Sequence, residues 1–174
     1  MGFTDKIRGL IKEVPDFPKP GIFFKDITPL LLDPALYSEL IDKLAAPFTG
    51  QQIDFVVGME SRGFLFGMGL AQKLGAGFIP VRKKGKLPRP TYGIQYDLEY
   101  GSAELEIHRE DIPTGSKVLI HDDLLATGGT AQATQKLVEI AGAQVSGFSF
   151  IIELSFLKGR EHLKHNAIHS IVTY

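Results

Sequence analysis

The stretch Val118-Leu119-Ile120-His121-Asp122-Asp123-Leu124-Leu125-Ala126-Thr127-Gly128-Gly129-Thr130 constrains the fold more than any other part of the chain. An apolar strand at 118–120 runs into two acids, then into a small-residue loop, and a helical pattern follows from about 130 to 141. With an apolar run at 145–152 this makes a strand–helix–strand unit of parallel type. Gly128 and Gly129 lack Cβ atoms, so a ligand can approach the main chain, and successive N–H groups at a helix start cradle an anion. Thr127 and Thr130 add hydroxyl donors. Asp122 and Asp123 stand at the carboxyl end of a strand, where open α/β sheets bind ligands, and adjacent carboxylates suit vicinal hydroxyls or a hydrated cation. Glycines of a TGGT turn can simply turn the chain, but two acids side by side cost stability unless something uses them. The combination predicts a sugar-phosphate site.

The rest of the chain repeats the alternation. Thr4 caps a helix with the apolar stripe Ile7, Leu10, Ile11 and Val14, and Pro15, Pro18, Pro20 and Gly21 end it in a structured loop. Asp33 and Pro34 open a helix with Leu36, Leu40, Ile41 and Leu44 on one face. A buried strand at 55–58, a helix at 63–74 and a strand at 78–81 follow. Residues 103–108 alternate in the period-two manner of a strand with an exposed face, as in an antiparallel flap. The fold class is α/β: a central, mostly parallel sheet flanked by helices, with a flap or hood. With 174 residues and neither repeat nor linker, one domain over 1–174 is expected, its hood and lid elements at about 15–30 and 82–108.

Other stretches support the same site. The basic cluster Arg82, Lys83, Lys84, Lys86 and Arg89 has no acid between Val81 and Tyr92, and its glycine and two prolines suit a lid over an anionic group. Gly58 to Gly63 has the glycine spacing of a P-loop, but Phe64 and Leu65 replace the required Lys and Ser or Thr, and Gln72 breaks the dinucleotide fingerprint begun at Gly67. His162, His165 and His169 lack the acid partner of a zinc helix and read as an exposed helix face. Nineteen basic against 20 acidic residues give no global attraction to nucleic acid. No run approaches the ~18 apolar residues that cross a bilayer. The cysteine count of 0 and the charged N-terminus suit a soluble cytoplasmic protein without disulfides.

The motif at 118–130 resembles the signature of the type I phosphoribosyltransferases. Four further stretches narrow the resemblance to the branch that uses adenine: Phe17-Pro18-Lys19-Pro20-Gly21-Ile22-Phe23-Phe24-Lys25-Asp26-Ile27, Glu60-Ser61-Arg62-Gly63-Phe64, Lys83-Lys84-Gly85-Lys86-Leu87-Pro88 and Leu98-Glu99-Tyr100-Gly101. The sequence departs from the family at His121, where an apolar residue is usual, at Lys25, usually Arg, and at Glu60, usually Asp. His121 packs near the strand end, with the neighbouring acids favouring its charged form.

The resemblance implies transfer of the 5-phosphoribosyl group from 5-phosphoribosyl-1-pyrophosphate (PRPP) to adenine, giving AMP and pyrophosphate. It assigns the 5-phosphate to Ala126, Thr127, Gly128, Gly129 and Thr130, and the ribose hydroxyls to Asp122 and Asp123. Pyrophosphate falls to Ser61, Arg62, Lys83 and Lys86, and the base to Phe23, Phe24, Lys25 and Arg62, with Phe24 stacked on the purine. Glu99 in the flap exchanges a proton with a ring nitrogen. Magnesium is carried by PRPP beside Asp122 with no protein cage of its own, the Glu60–Ser61 peptide is cis, and the chain forms a homodimer. A phosphoribosyltransferase for another purine base and a noncatalytic PRPP-binding regulator are the other readings.

Overall fold

Apolar β-branched runs and caps set the elements of the chain, whose computed structural model describes residues 2–97, 102–164 and 167–174. The order is α1 (Phe3–Leu10), β1 (Lys12–Pro15), β2 (Phe23–Asp26), α2 (Pro34–Ala45), β3 (Phe55–Met59), α3 (Gly63–Leu74), β4 (Gly77–Lys83), β5 (Thr91–Asp97), β6 (Ser102–His108), β7 (Lys117–Leu125), α4 (Gly129–Ile140), β8 (Gln144–Glu153) and β9 (Ile168–Thr173). Asp33 caps α2 by accepting from the Ala35 and Leu36 N–H groups, and Pro34 fits the first turn, whose donors need no helical partner. Leu36, Leu40, Ile41 and Leu44 are buried along one stripe, as their spacing demands.

Seven strands form one sheet in the order β5-β6-β4-β3-β7-β8-β9. The pairs β3/β4, β3/β7, β7/β8 and β8/β9 are parallel, and β6 adds antiparallel to β4 and β5. One face is covered by α1, α2 and α3 around Ile7, Leu40, Phe66 and Leu70. The other carries α4 through Leu137 and Val138 against Val118, Ile120 and Phe148. No described helix is long and apolar enough to cross a membrane.

Three stretches differ from expectation. Gly2, not Thr4, caps α1, with Asp5 accepting from the Gly2 N–H. The helix stops at Leu10 because residues 12–15 pair antiparallel with Phe23–Asp26, which leaves Val14 exposed and opposite Phe24. The proline-rich segment is therefore one side of a two-stranded hairpin as well as a loop. The histidine-bearing tail is no helix face: Gly159–His162 is one short 3-10 turn, His169 lies in β9, and His165 lies outside the described residues. Strand β9 wins because it completes the buried ladder of β8, pairing Phe148 with Ile168 and Ile152 with Val172.

Candidate active site

The site follows from a mismatch in strand length. Strand β3 pairs with β7 only as far as Gly58 opposite His121, whereas β7 runs on to Leu125, paired with β8 through Glu153. Asp122 and Asp123 are thus inside the strand, beyond the end of its neighbour, where one edge is open. On one side of this gap the chain goes from β3 through α3 to β4, and on the other from β7 through α4 to β8. Such a switch point is where open α/β sheets form their ligand crevice. A cavity of about 200 Å³ lies there, bounded by Arg62, Asp122, Asp123 and the loop 126–130.

The loop is shaped to receive an anion. Gly128 adopts φ 86°, ψ −4°, a left-handed conformation that disfavours any side chain, and α4 starts at the next residue. No side chain caps α4, so its first-turn N–H groups have no partner within the helix and face the requirements of an anion binder. The reason for glycine at 128 differs from simple room for a ligand. A methyl there would come within 2.5 Å of the Gly159 carbonyl oxygen, so a branched residue would displace the loop itself and not only block a ligand.

Of the acid pair, Asp123 is buried and Asp122 half-buried, and the pair is tied to one cation. Arg62 places Nε 3.1 Å from Asp123 Oδ2, whose side chain is 4% exposed. Burial pushes the Asp122 carboxyl well above the usual carboxylate range, and the negative charge of Asp123 adds to the push. Asp123 is also raised by burial, against the pull of Arg62. A site in this state favours whatever brings positive charge or hydroxyl donors to the pair. His121 is neutral, contrary to the expectation of a charged ring. Its side chain is fully buried, which lowers its pKa to about 4. Only the Ser149 main chain opposes this, and desolvation outweighs it.

Arg62 also joins this cavity to the hairpin. Its Nη1 donates to the Lys25 carbonyl at 3.3 Å, and its guanidinium carbon lies 4.6 Å from the centroid of the Phe24 ring. Phe17 meets Phe24 edge-on with centroids 5.1 Å apart. In a two-stranded ladder, alternate residues turn their N–H and C=O groups away from the partner strand. Lys25, whose carbonyl meets Arg62, belongs to that outer set, and Phe23 two residues earlier shares its side. The Lys25 side chain goes elsewhere: it pairs with Glu13 on the opposite strand and its Nζ lies 4.1 Å from the Tyr174 ring centroid. The departure from Arg at this position therefore falls on a side chain directed away from the cavity's arginine.

The basic lid is not acid-free in three dimensions. Glu60, with a side chain 8% exposed, accepts from Lys86 Nζ at 2.7 Å, from the Lys83 N–H at 2.9 Å and from Arg82 Nε at 3.3 Å. Burial alone would raise its pKa, but Lys86 and the Lys83 amide together hold it low. Lys84 pairs with Glu104, and Arg89 makes a two-pronged pair with Asp111 that also engages His108. The sequence distance between these partners hid all of this. Glu60 is joined to Ser61 by a cis peptide, and Ser61 is exposed beside Arg62. Tyr96 of β5 reaches Thr130, hydroxyl to hydroxyl at 3.3 Å, so the flap touches the 126–130 loop directly. Glu99 lies outside the described residues.

This fold and cleft define the class: residues 32–172 match the phosphoribosyl transferase domain family. An adenine phosphoribosyltransferase of Methylococcus capsulatus is 54% identical over 170 residues, covering 98% of this chain and 99% of that one. The crystal structure of adenine phosphoribosyltransferase from Rhodothermus marinus superposes with a TM-score of 0.95 at 51% identity, over 99% of this chain and 98% of that one. The Saccharomyces cerevisiae enzyme, crystallised with an imino-altritol bisphosphate and adenine, gives a TM-score of 0.91 at 43% identity, covering 97% and 98%. The chain belongs to the adenine phosphoribosyltransferase family.

Proposed function

We propose that this chain transfers the 5-phosphoribosyl group of PRPP to adenine, forming AMP and releasing pyrophosphate. The observation that carries the reading is the cavity in which Arg62, the acid pair and the uncapped start of α4 converge. In this assignment the N–H groups and hydroxyls of 126–130 hold the 5-phosphate, and Asp122 and Asp123 hold the ribose hydroxyls. Among the described residues no group of three His, Asp or Glu side chains could hold a metal alone. The magnesium is assigned to PRPP, entering as part of the substrate, and the acid pair fits it because a nearby cation relieves the cost of ionising two adjacent carboxylates that are both held above their usual range.

Ser61, Arg62, Lys83 and Lys86 serve pyrophosphate. Lys86 has to leave Glu60 to do so, which makes Glu60 the group that parks the lid's charge when the leaving group is absent. The adenine N1 and 6-amino group pair with outward main-chain N–H and C=O groups around Phe23 and Lys25, and Phe24 stacks on the ring. In this reading Arg62, which lies over the Phe24 ring, serves the base edge as well as pyrophosphate. As the C1–pyrophosphate bond breaks with oxocarbenium character, adenine attacks C1 from the opposite face, and Glu99 exchanges the proton of a ring nitrogen.

We further assign the whole chain to one domain closed by hood elements at about 15–30 and 82–108, working in the cytoplasm as a homodimer. Leu65 and Met68, 42% and 62% exposed on one side of α3, are apolar surface that a second copy would cover. Formation of AMP from adenine and PRPP with magnesium tests the central claim. Comparable catalytic efficiency with hypoxanthine or guanine would overturn the choice of base and leave the PRPP site standing.

A further inference from the structure

The short turn Gly159–His162 contributes nothing to the walls of the cavity, yet it presses on the loop that does. Gly159 is buried under 126–128. A methyl on Gly159 would lie 2.1 Å from the Ala126 carbonyl oxygen and 3.0 Å from the Gly128 nitrogen, and a methyl on Gly128 would lie 2.5 Å from the Gly159 carbonyl oxygen. Two glycine backbones are thus stacked with no space for a side chain between them. Since Ala126 and Gly128 line the cavity and Gly159 does not, Gly159 backs the loop from its far side.

The turn is itself held rigidly. Arg160, next in the chain, donates Nε to Glu153 Oε1 at 2.9 Å and Nη1 to the Ile168 carbonyl at 2.8 Å. Ser170 Oγ donates to the same Glu153 carboxylate at 2.7 Å, and Arg160 holds that carboxyl below its usual range. Glu153 sits opposite Leu125, the last residue before the loop, in the β7/β8 ladder. On the other side, Gln132 in the first turn of α4 donates to the His162 carbonyl at 3.2 Å. Strands β8 and β9 and the helix start are therefore fastened to one turn, and that turn touches the loop where its main chain has to face the cavity.

We propose that Gly159, anchored by Arg160, is a positioning residue for the 5-phosphate: it sets the orientation of the 126–128 main chain, and binding of ligands that carry a 5-phosphate depends on it. The inference rests on the reading of 126–130 as the 5-phosphate loop. Displacing this loop by the width of a methyl misdirects at least one N–H donor to a charged oxygen, a loss on the order of tenfold in affinity.

The test compares ligands that share parts of PRPP. In Gly159→Ala, the KM for PRPP and the Kd for AMP measured by calorimetry should each rise about tenfold or more, while the Kd for pyrophosphate changes less than about twofold. A general loosening of the fold would weaken both product ligands together. Arg160→Gln, which keeps the glycine and releases the anchor, should show the same split at about threefold or more, and Arg160→Lys should restore part of the loss; these variants decide the matter if Gly159→Ala does not fold. A folded Gly159→Ala or Arg160→Gln protein with unchanged PRPP and AMP affinity overturns the proposal, as does an equal loss for pyrophosphate. Failure of the unsubstituted protein to bind AMP would instead overturn the phosphate-loop reading beneath it.

Discussion

Replacing His121 by Leu should make the protein less sensitive to acid, and the amount follows from burial. The ring is fully buried in β7, one residue before the acid pair, and its Cδ2 faces Gly67 of α3. Its pKa falls from 6.5 to about 4 because the charged form loses hydration, an effect only partly opposed by the Ser149 main chain. The folded state therefore binds this proton less readily than the unfolded chain. Between pH 6.5 and 4 the unfolded state takes up the proton first, so stability is lost as pH falls. At pH 7.5 the histidine is neutral in both states and contributes no pH dependence. At pH 5 the shift costs about 2 kcal/mol, from 1.36 kcal/mol per unit over the span between pH 6.5 and 5. Asp122 and Asp123, raised by burial, act in the opposite direction, which is why the comparison is between two proteins at each pH. Urea unfolding at pH 7.5, 6 and 5 provides it. The stability of His121→Leu relative to the unsubstituted protein should improve by about 2 kcal/mol between the first and last of these. Curves that stay parallel across that range would refute the buried neutral ring.

Glu99→Gln should lower single-turnover AMP formation by ~10² to 10⁴ while the Kd for AMP stays within a few fold, since the amide keeps size but takes no full proton. An unchanged chemical step would remove Glu99 from catalysis. Lys25→Ala should leave the preference for adenine over hypoxanthine within about threefold, because the side chain is engaged by Glu13 and Tyr174 and the proposed contacts are main-chain. A drop in selectivity of more than tenfold in competition assays would show that the side chain reads the base.

The parts of the fold that were legible in the sequence are those whose physics is local. Asp33 and Pro34 start α2 because a cap and a fixed φ act within one turn, and the stripe from Leu36 to Leu44 repeats at the helical period. The strand, acid pair and glycine loop of 118–130 likewise carry their chemistry in thirteen consecutive letters. Where partners come from far along the chain, the letters mislead. The cluster from Arg82 to Arg89 reads as a bare cationic lid, but Glu60, Glu104 and Asp111 are folded onto it, and four of its cations, Arg82, Lys84, Lys86 and Arg89, pair with acids more than fifteen positions away. Pro15 and Val14 read as the end of a helix until Phe23–Asp26 supplies a ladder that a helix would forgo. His121 reads as a neighbour of two carboxylates, yet the dehydration of a closed core, a property of α3 and β7 together, decides its charge. Gly128 illustrates both sides: its left-handed φ belongs to the local loop, but the close approach that forbids a side chain comes from Gly159, which no pattern around 128 discloses. Local rules therefore mark the candidate site, and non-local packing sets which of its charges are already paired.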